Sequence, residues 1–181
     1  ENSAYDFASA IYFETAIKLL IDSYRDKFKD NDLPFFLMGI ADEYYCYGDD
    51  YGYPYITEAL SNIDKDNVYL VPIYDIKPKW LVKDGNFINH PIHTSNKEKY
   101  TKRLFDMIYH NLYKREKYLP PKVKKVELLS NQVLLEIETF DGKLRKNTSF
   151  EGFYVANKEG IYKKAHAIAI DDNHILLSSN I

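Results

Sequence analysis

The sequence is poor in sulfur chemistry: Cys46 is the one cysteine among 181 residues, beside two methionines. A lone thiol leaves no internal disulfide and no metal centre built from several cysteines. No apolar run reaches the ~20 residues a membrane-spanning helix needs, and no stretch has the pattern of a signal peptide. Charge of one sign is not in excess either. Lys and Arg number 24 against 27 Asp and Glu, for a net charge of −3 and a pI near 6.0, which gives no electrostatic footprint for nucleic acid. Internal repeats and low-complexity tracts are absent. What the chain does have is aromatic side chains, 17 Tyr and 10 Phe against one Trp. Enrichment in Tyr, Asn, Lys, Asp and Ile is also what an AT-rich coding bias produces, so it carries little functional weight. The length supports one good core, or one domain and part of another.

Read in order, the first part alternates helix and strand. Phe13, Ile17, Leu20, Tyr24 and Phe28 recur at helical spacing, which predicts an amphipathic helix of about four turns ended by Asp30-Asn31-Asp32. Leu33–Ala41 is a short apolar run and reads as a buried strand. A loop rich in acid and tyrosine follows, Asp42–Tyr53. Pro54 then suits the first turn of a helix whose apolar face is Ile56, Ala59, Leu60 and Ile63. Val68–Tyr74 reads as a second buried strand, with Pro72 placing it towards a sheet edge. The polar stretch Gly85–Lys97 leads into an amphipathic helix over Lys97–Tyr113, carried by Tyr100, Leu104, Ile108 and Leu112. Thr94 and Ser95 are both suitable N-caps, and Glu98 is within capping-box reach of Ser95.

Such an order predicts right-handed crossovers and a parallel sheet covered on both faces. Ligands of open parallel sheets bind outside the carboxyl ends of the strands. The loops after Ala41 and after Tyr74 both leave those ends, so they are expected to face one crevice. The second loop carries His93.

Around Leu119-Pro120-Pro121 the pattern changes. Lys122–Leu129, Gln132–Thr139, Gly152–Ala156, Lys163–Ile170 and His174–Ser178 read as short strands separated by turn residues. The expected domains are therefore 1–118, an α/β unit, and 119–181, an antiparallel β module.

His93 is the leading candidate for chemistry. A histidine held at the mouth of a capped helix has a fixed backbone and a free face, as a general base requires; the plainer reading is a surface histidine. His90 and His93, three residues apart with Asp84 nearby, could be offered as a metal pair, but no third ligand stands at useful spacing and Pro91 interrupts the loop. The tyrosines of Glu43–Tyr53 suit stacking on a sugar ring with the acids accepting from its hydroxyls, or equally a loop packed on its own aromatics. Cys46 has no basic neighbour to activate it. Asn147-Thr148-Ser149 has the form of a glycosylation sequon, which has meaning only in a eukaryotic secretory protein. Lys122–Lys125 reads as a solvated strand face.

Ile92–Leu104, I-H-T-S-N-K-E-K-Y-T-K-R-L, resembles the I-H-P-x-N-K-x-x-x-x-x-R-L block of the sialate O-acetylesterase family, a branch of the SGNH hydrolases. Other stretches resemble the same family. Phe13–Phe28 followed by Asp32–Phe36 is similar to its helix ending in W-R and its D-L-P-F strand. Pro54–Leu60 is similar to its P-x-x-R-E-A-Q helix, and Phe140–Leu144 through Glu151–Ile170 to its C-terminal β module. The resemblance implies a fold: part of an SGNH-like, flavodoxin-like parallel-sheet hydrolase domain, followed by an incomplete β-sandwich-like module. It also implies a function, a carbohydrate O-acetylesterase of the sialate 9-O type, with His93 as catalytic base.

Glu1-Asn2-Ser3-Ala4 resembles the E-N-x-A of the family's Q-G-E-N-x-A motif, which sets Glu1 and Asn2 beside the oxyanion and substrate site. The family's serine nucleophile lies upstream of that motif. By this resemblance the chain is the second half of an esterase, and its partners are the first half and an acetylated sugar, with no cofactor, nucleic acid or membrane. A secreted or periplasmic location is implied likewise.

Some positions depart from the family. His90 stands where many SGNH enzymes have the Asp of D-x-x-H, so another acid such as Asp75 or Asp84, or a backbone carbonyl, has to orient His93. Gly39 replaces the strand's usual Gln, and Thr57 and Leu60 replace the Arg and Gln of R-E-A-Q. These departures are what a non-catalytic carbohydrate-binding or scaffold protein on the same fold would show.

Overall fold

The computed structural model describes residues 7–40, 52–73, 75–76, 82–87, 97–139 and 142–179. The chain divides into two compact units, Glu1–Tyr118 and Leu119–Ile181.

The first unit opens with α1 (Phe7–Ile11) and α2 (Phe13–Phe28). Lys29, in the left-handed region at φ 53°, ends α2 by turning its N–H back to the Arg25 and Asp26 carbonyls. The stripe expected to be buried on α2 is only partly so. Ile21 and Arg25 are its buried residues, whereas Leu20, Tyr24 and Phe28 are exposed. The cause is Arg25. Its guanidinium donates to the carbonyl of Leu33 at 3.1–3.2 Å and to that of Asp66, and lies 5.8 Å from the Phe35 ring centre. A charge drawn inward needs such acceptors to offset its burial.

β1 (Phe35–Met38) and β2 (Val68–Val71) are parallel, in a register running from Phe35 opposite Val68 to Met38 opposite Val71. α3 (Tyr53–Ser61) lies between them in sequence, with Pro54 in its first turn. Both strands are shorter than the apolar runs suggested, and of their residues only Val71 is fully buried. A strand pair described with one neighbour each cannot be shielded as in a wide parallel sheet. On one face Leu37 and Leu70 pack against Ala10 of α1 and Ile56 and Leu60 of α3. On the other, Phe36 and Tyr69, opposite one another in register, stack with ring centres 5.0 Å apart. Ile63 falls just past α3 and is half-buried.

A short hairpin, β3 (Val82–Lys83) and β4 (Asn86–Phe87), lies inside the stretch expected to be loop. Asp84 and Gly85 turn it, both at positive φ (52° and 78°), as a two-residue type I′ turn demands. α4 (Glu98–Ile108) follows and packs against β1 and β2. Its N-cap position is Lys97, with no side-chain capping bond; Thr94 and Ser95, the caps expected from the sequence, lie outside the described residues. The coil closes instead through the backbone, Thr101 N–H to Lys97 carbonyl at 2.9 Å. α4 passes into a π-helical turn, Tyr109–Lys114, ended by Arg115 at φ 54°. The Asn111 amide spans this turn, donating to the Met107 and Tyr118 carbonyls and accepting from the Tyr118 N–H.

The second unit is an antiparallel five-stranded sheet in the order β5-β6-β11-β10-β7, with a separate β8–β9 pair. Its strands are β5 (Lys122–Leu128), β6 (Val133–Glu138), β7 (Ser149–Phe150), β8 (Tyr154–Ala156), β9 (Tyr162–Lys164), β10 (His166–Ala169) and β11 (His174–Ser178). The run Lys163–Ile170, expected as one strand, is split. Ala165 breaks it, buried and with its N–H on the Phe153 carbonyl at 2.8 Å, so β9 pairs with β8 while β10 joins the main sheet. The core gathers Leu135, Ile137, Ala167, Ile175 and Leu177 under Phe150, Phe153 and Val155. The lysines of β5 are exposed and pair across the strand, Lys124 with Glu136 at 2.6 Å and Lys122 with Glu138 at 3.5 Å.

Candidate functional site

His93 lies between Ile76 and Glu98 in sequence, and the described residues at the two ends of that span are tied to each other. The tie begins at the carboxyl end of β2. Ile73 and Ile76 are buried there, with Tyr100 of α4 packed against them. One helical turn on, Arg103 points to the same place. Its Nη1 donates to the Pro72 carbonyl at 2.7 Å and also to one Asp75 oxygen, while its Nη2 donates to the other at 2.8 Å. The Tyr100 hydroxyl adds a longer bond, 3.4 Å, to the Ile76 carbonyl. The chain thus leaves the end of β2 and returns into α4 at one spot, clasped by the planar fork that makes arginine suited to carboxylates.

Electrostatics follow from this geometry. The hydrogen bonds from Arg103, opposed by partial burial and reinforced by the Arg103 charge, hold the Asp75 carboxyl below the usual aspartate range. Lys99 adds to the effect in the same direction. The Asp75 hydrogen bond in turn raises the Arg103 guanidinium further.

Residues proposed from the sequence divide accordingly. His93, His90, Glu1, Asn2 and Cys46 lie outside the described residues, as do the acid- and tyrosine-rich residues 42–51. Asp75, one of two acids offered as an orienter of His93, has both oxygens engaged by Arg103. Asp84, the other, occupies the exposed tip of the β3–β4 hairpin. Gly39 is buried just past β1 and donates its N–H to the Val71 carbonyl at 2.9 Å, so the carboxyl end of the pair is closed by backbone where the resembled family carries a glutamine. Thr57 projects a buried hydroxyl with no hydrogen-bond partner among the described residues.

Sequence reasoning missed the role of Arg103. It stood in the quoted block without a function, and its signal was an arginine three residues after Tyr100, on the inward side of an otherwise amphipathic helix. Two other histidine pairs are local. Asp171 holds His174 Nδ1 at 2.8 Å and accepts from the N–H groups of Asn173 and His174, which closes the β10–β11 turn. Glu116 holds His110 Nδ1 at 2.9 Å, with the imidazole stacked on Tyr118. Among the described residues no three His, Cys, Asp or Glu side chains come together as metal ligands.

No family model matches this chain, and no curated protein does. The fold, however, matches the crystal structure of XAC1771, a carbohydrate acetylesterase from Xanthomonas citri, with a TM-score of 0.71 at 20% identity. The two share a fold. The match takes in 98% of this chain and 40% of XAC1771, so the chain spans well under half of that protein's length. Among the described residues the parallel part of this architecture is the β1–β2 pair, and the remaining pairings are antiparallel.

Proposed function

We propose that the chain supplies the general-base portion of a carbohydrate O-acetylesterase of the sialate type, with His93 as the base. The observation that carries this is the fold match to a carbohydrate acetylesterase over nearly the whole chain. The family-like block running from Ile92 through His93 to Arg103 and Leu104 agrees with it, as does the clasp that returns the chain beside the carboxyl end of β2.

In this reading the nucleophile is a serine from polypeptide outside these 181 residues. The serine gives its proton to His93 and attacks the acetyl carbonyl. Amide groups hold the resulting oxyanion, with Glu1 and Asn2 at the edge of that site. His93 returns the proton to the departing sugar hydroxyl, and water then repeats the sequence on the acyl-serine to release acetate. The chemistry needs no metal or cofactor. An acetylated sugar reached outside the cytoplasm completes the proposal, with a secreted or periplasmic setting.

The test is acetate release from 9-O-acetyl sialic acid and from acetylated xylo-oligosaccharides by this chain combined with a polypeptide carrying the serine nucleophile. Turnover that needs both parts supports the reading. A combined, folded protein inert on every acetylated sugar overturns it. His90, at the position of the D-x-x-H aspartate, favours a second reading, a carbohydrate-binding protein that keeps the fold without the chemistry. In that case sugar binding persists and turnover does not.

A further inference from the structure

We propose that the outer edge of β1 and the apolar flank of α2 beside it form one docking surface, on which polypeptide outside these 181 residues adds a strand to the β1–β2 pair. This surface is the seat of the partner invoked above. It depends on that reading only for a partner to exist, since its test is binding and not turnover.

Hydrogen-bond alternation defines the edge. Phe35 and Gly39 donate to the Asn67 and Val71 carbonyls, so alternate residues of β1, Leu37 among them, point their backbone groups at β2. Phe36 and Met38 turn theirs to the other side, where no strand pairs with β1 among the described residues. Met38 is exposed, whereas Val71 opposite it is fully buried.

β1 has none of the devices that protect an open edge. Its residues are Phe35-Phe36-Leu37-Met38, without charge or proline. β5 gives the contrast: it is an edge strand of the five-stranded sheet, and Lys122, Lys124 and Lys125 stand exposed along it.

The flank of α2 lies on the same side. Asp22 pairs with Lys65, just ahead of β2, at 2.5 Å, which turns that side of the helix towards β2. At 3.6 residues per turn, Leu20, Tyr24 and Phe28 stand roughly 120–160° around the helix from Asp22. Tyr24 meets Phe35 of β1 edge-on at 6.1 Å and stacks on Phe28 at 6.2 Å. All three flank residues are exposed.

The fold match supplies the occupant. XAC1771 matches 98% of this chain with 40% of its own length, leaving well over half of that protein available to cover the corresponding surface. A sheet needs about three strands to stand alone, and parallel strands are ordinarily covered on both faces. A strand laid beside β1 would bond the backbone of Phe36 and Met38, and its apolar side chains would meet Leu20, Tyr24 and Phe28.

The complex of this chain with the polypeptide carrying the serine nucleophile, co-expressed and then diluted, tests the proposal through its dissociation constant, read by sedimentation. Leu20→Glu combined with Phe28→Glu is expected to weaken it by about a hundredfold or more. Leu19→Glu, no less exposed but turned away from the flank, is expected to stay within about twofold. Met38→Pro, which spares the Leu37 and Gly39 bonds to β2, is expected to weaken the complex as the double variant does. Unchanged affinity in both overturns the proposal, and so does a loss shared equally by Leu19→Glu. A benzophenone photocrosslinker at position 20 reads the contact without weakening it, and decides the case of a variant that does not fold. A link to the serine-bearing polypeptide supports the proposal; a link to a second copy of this chain, or none, overturns it. If the complex forms through this face and releases no acetate, the function proposed above fails and the docking surface stands. Acetate release with every variant binding as wild type does overturns the docking surface alone.

Discussion

The guanidinium of Arg25, near the end of α2, donates to the carbonyl of Asp66, 41 positions further along the chain, as well as to that of Leu33. These carbonyls immediately precede β1 and β2, so one arginine ties the amino ends of the parallel pair as Arg103 ties the carboxyl end of β2 to α4. Arg25→Met leaves both carbonyls without their charged donor. Hydrogen bonds to charged groups contribute about 1.5–3 kcal/mol each, so for the two carbonyls the expected loss is roughly 3–6 kcal/mol, with little recovered in Arg25→Lys. Urea denaturation of the two variants measures it.

Acid should loosen the Asp75–Arg103 clasp before the rest of the first unit. The folded-state pKa of Asp75 is depressed, so its contribution is fully present above the unfolded aspartate value and is lost as pH falls through the lower folded value. The Asp75 side chain is 66% exposed, which screens the pair and keeps the contribution to about 0.2–1 kcal/mol. Asp75→Asn is expected to flatten that part of the stability–pH curve and leave the neutral-pH fold intact. A pH series of denaturant melts on both proteins checks the sign.

The second unit closes over small residues. Ala167 and Ala169 are 0% exposed, and Ala167 belongs to the cluster against which Phe150 and Phe153 pack. Ala167→Leu forces extra volume into that contact and is expected to cost about 1–3 kcal/mol. Thermal denaturation should show the loss in whichever transition the β module gives.

Some of this was legible in the sequence and some was not, for identifiable reasons. The alternation of Val133, Leu135 and Ile137 and the spacing of Ala165, Ala167 and Ala169 reported the β-module core directly, because a strand has a period of two and one buried face. The apolar residues of α3 were equally readable. The orientation of α2 was not, since Phe13, Ile17, Leu20, Tyr24 and Phe28 form a good stripe and nothing local says that Arg25 will be drawn inside by carbonyls from elsewhere. The β3–β4 hairpin had its signal in Asp84-Gly85, overlooked because the strands it joins are two residues each. At the candidate site the sequence supplied His93 through resemblance, while the clasp at Arg103 required the fold, because its acceptors are 28 and 31 positions away.

The identity of the base is the central claim, and kcat/KM of two single variants in the serine-completed enzyme tests it most directly. His93→Ala is expected to lower kcat/KM on an acetylated sugar by about a hundredfold to ten-thousandfold with the fold retained, the usual effect of losing a general base. His90→Ala is expected to cost far less, because the family block aligns on His93. A dead His90→Ala beside a His93→Ala that keeps most of its rate would contradict the assignment, and the resemblance of the Ile92–Leu104 block with it.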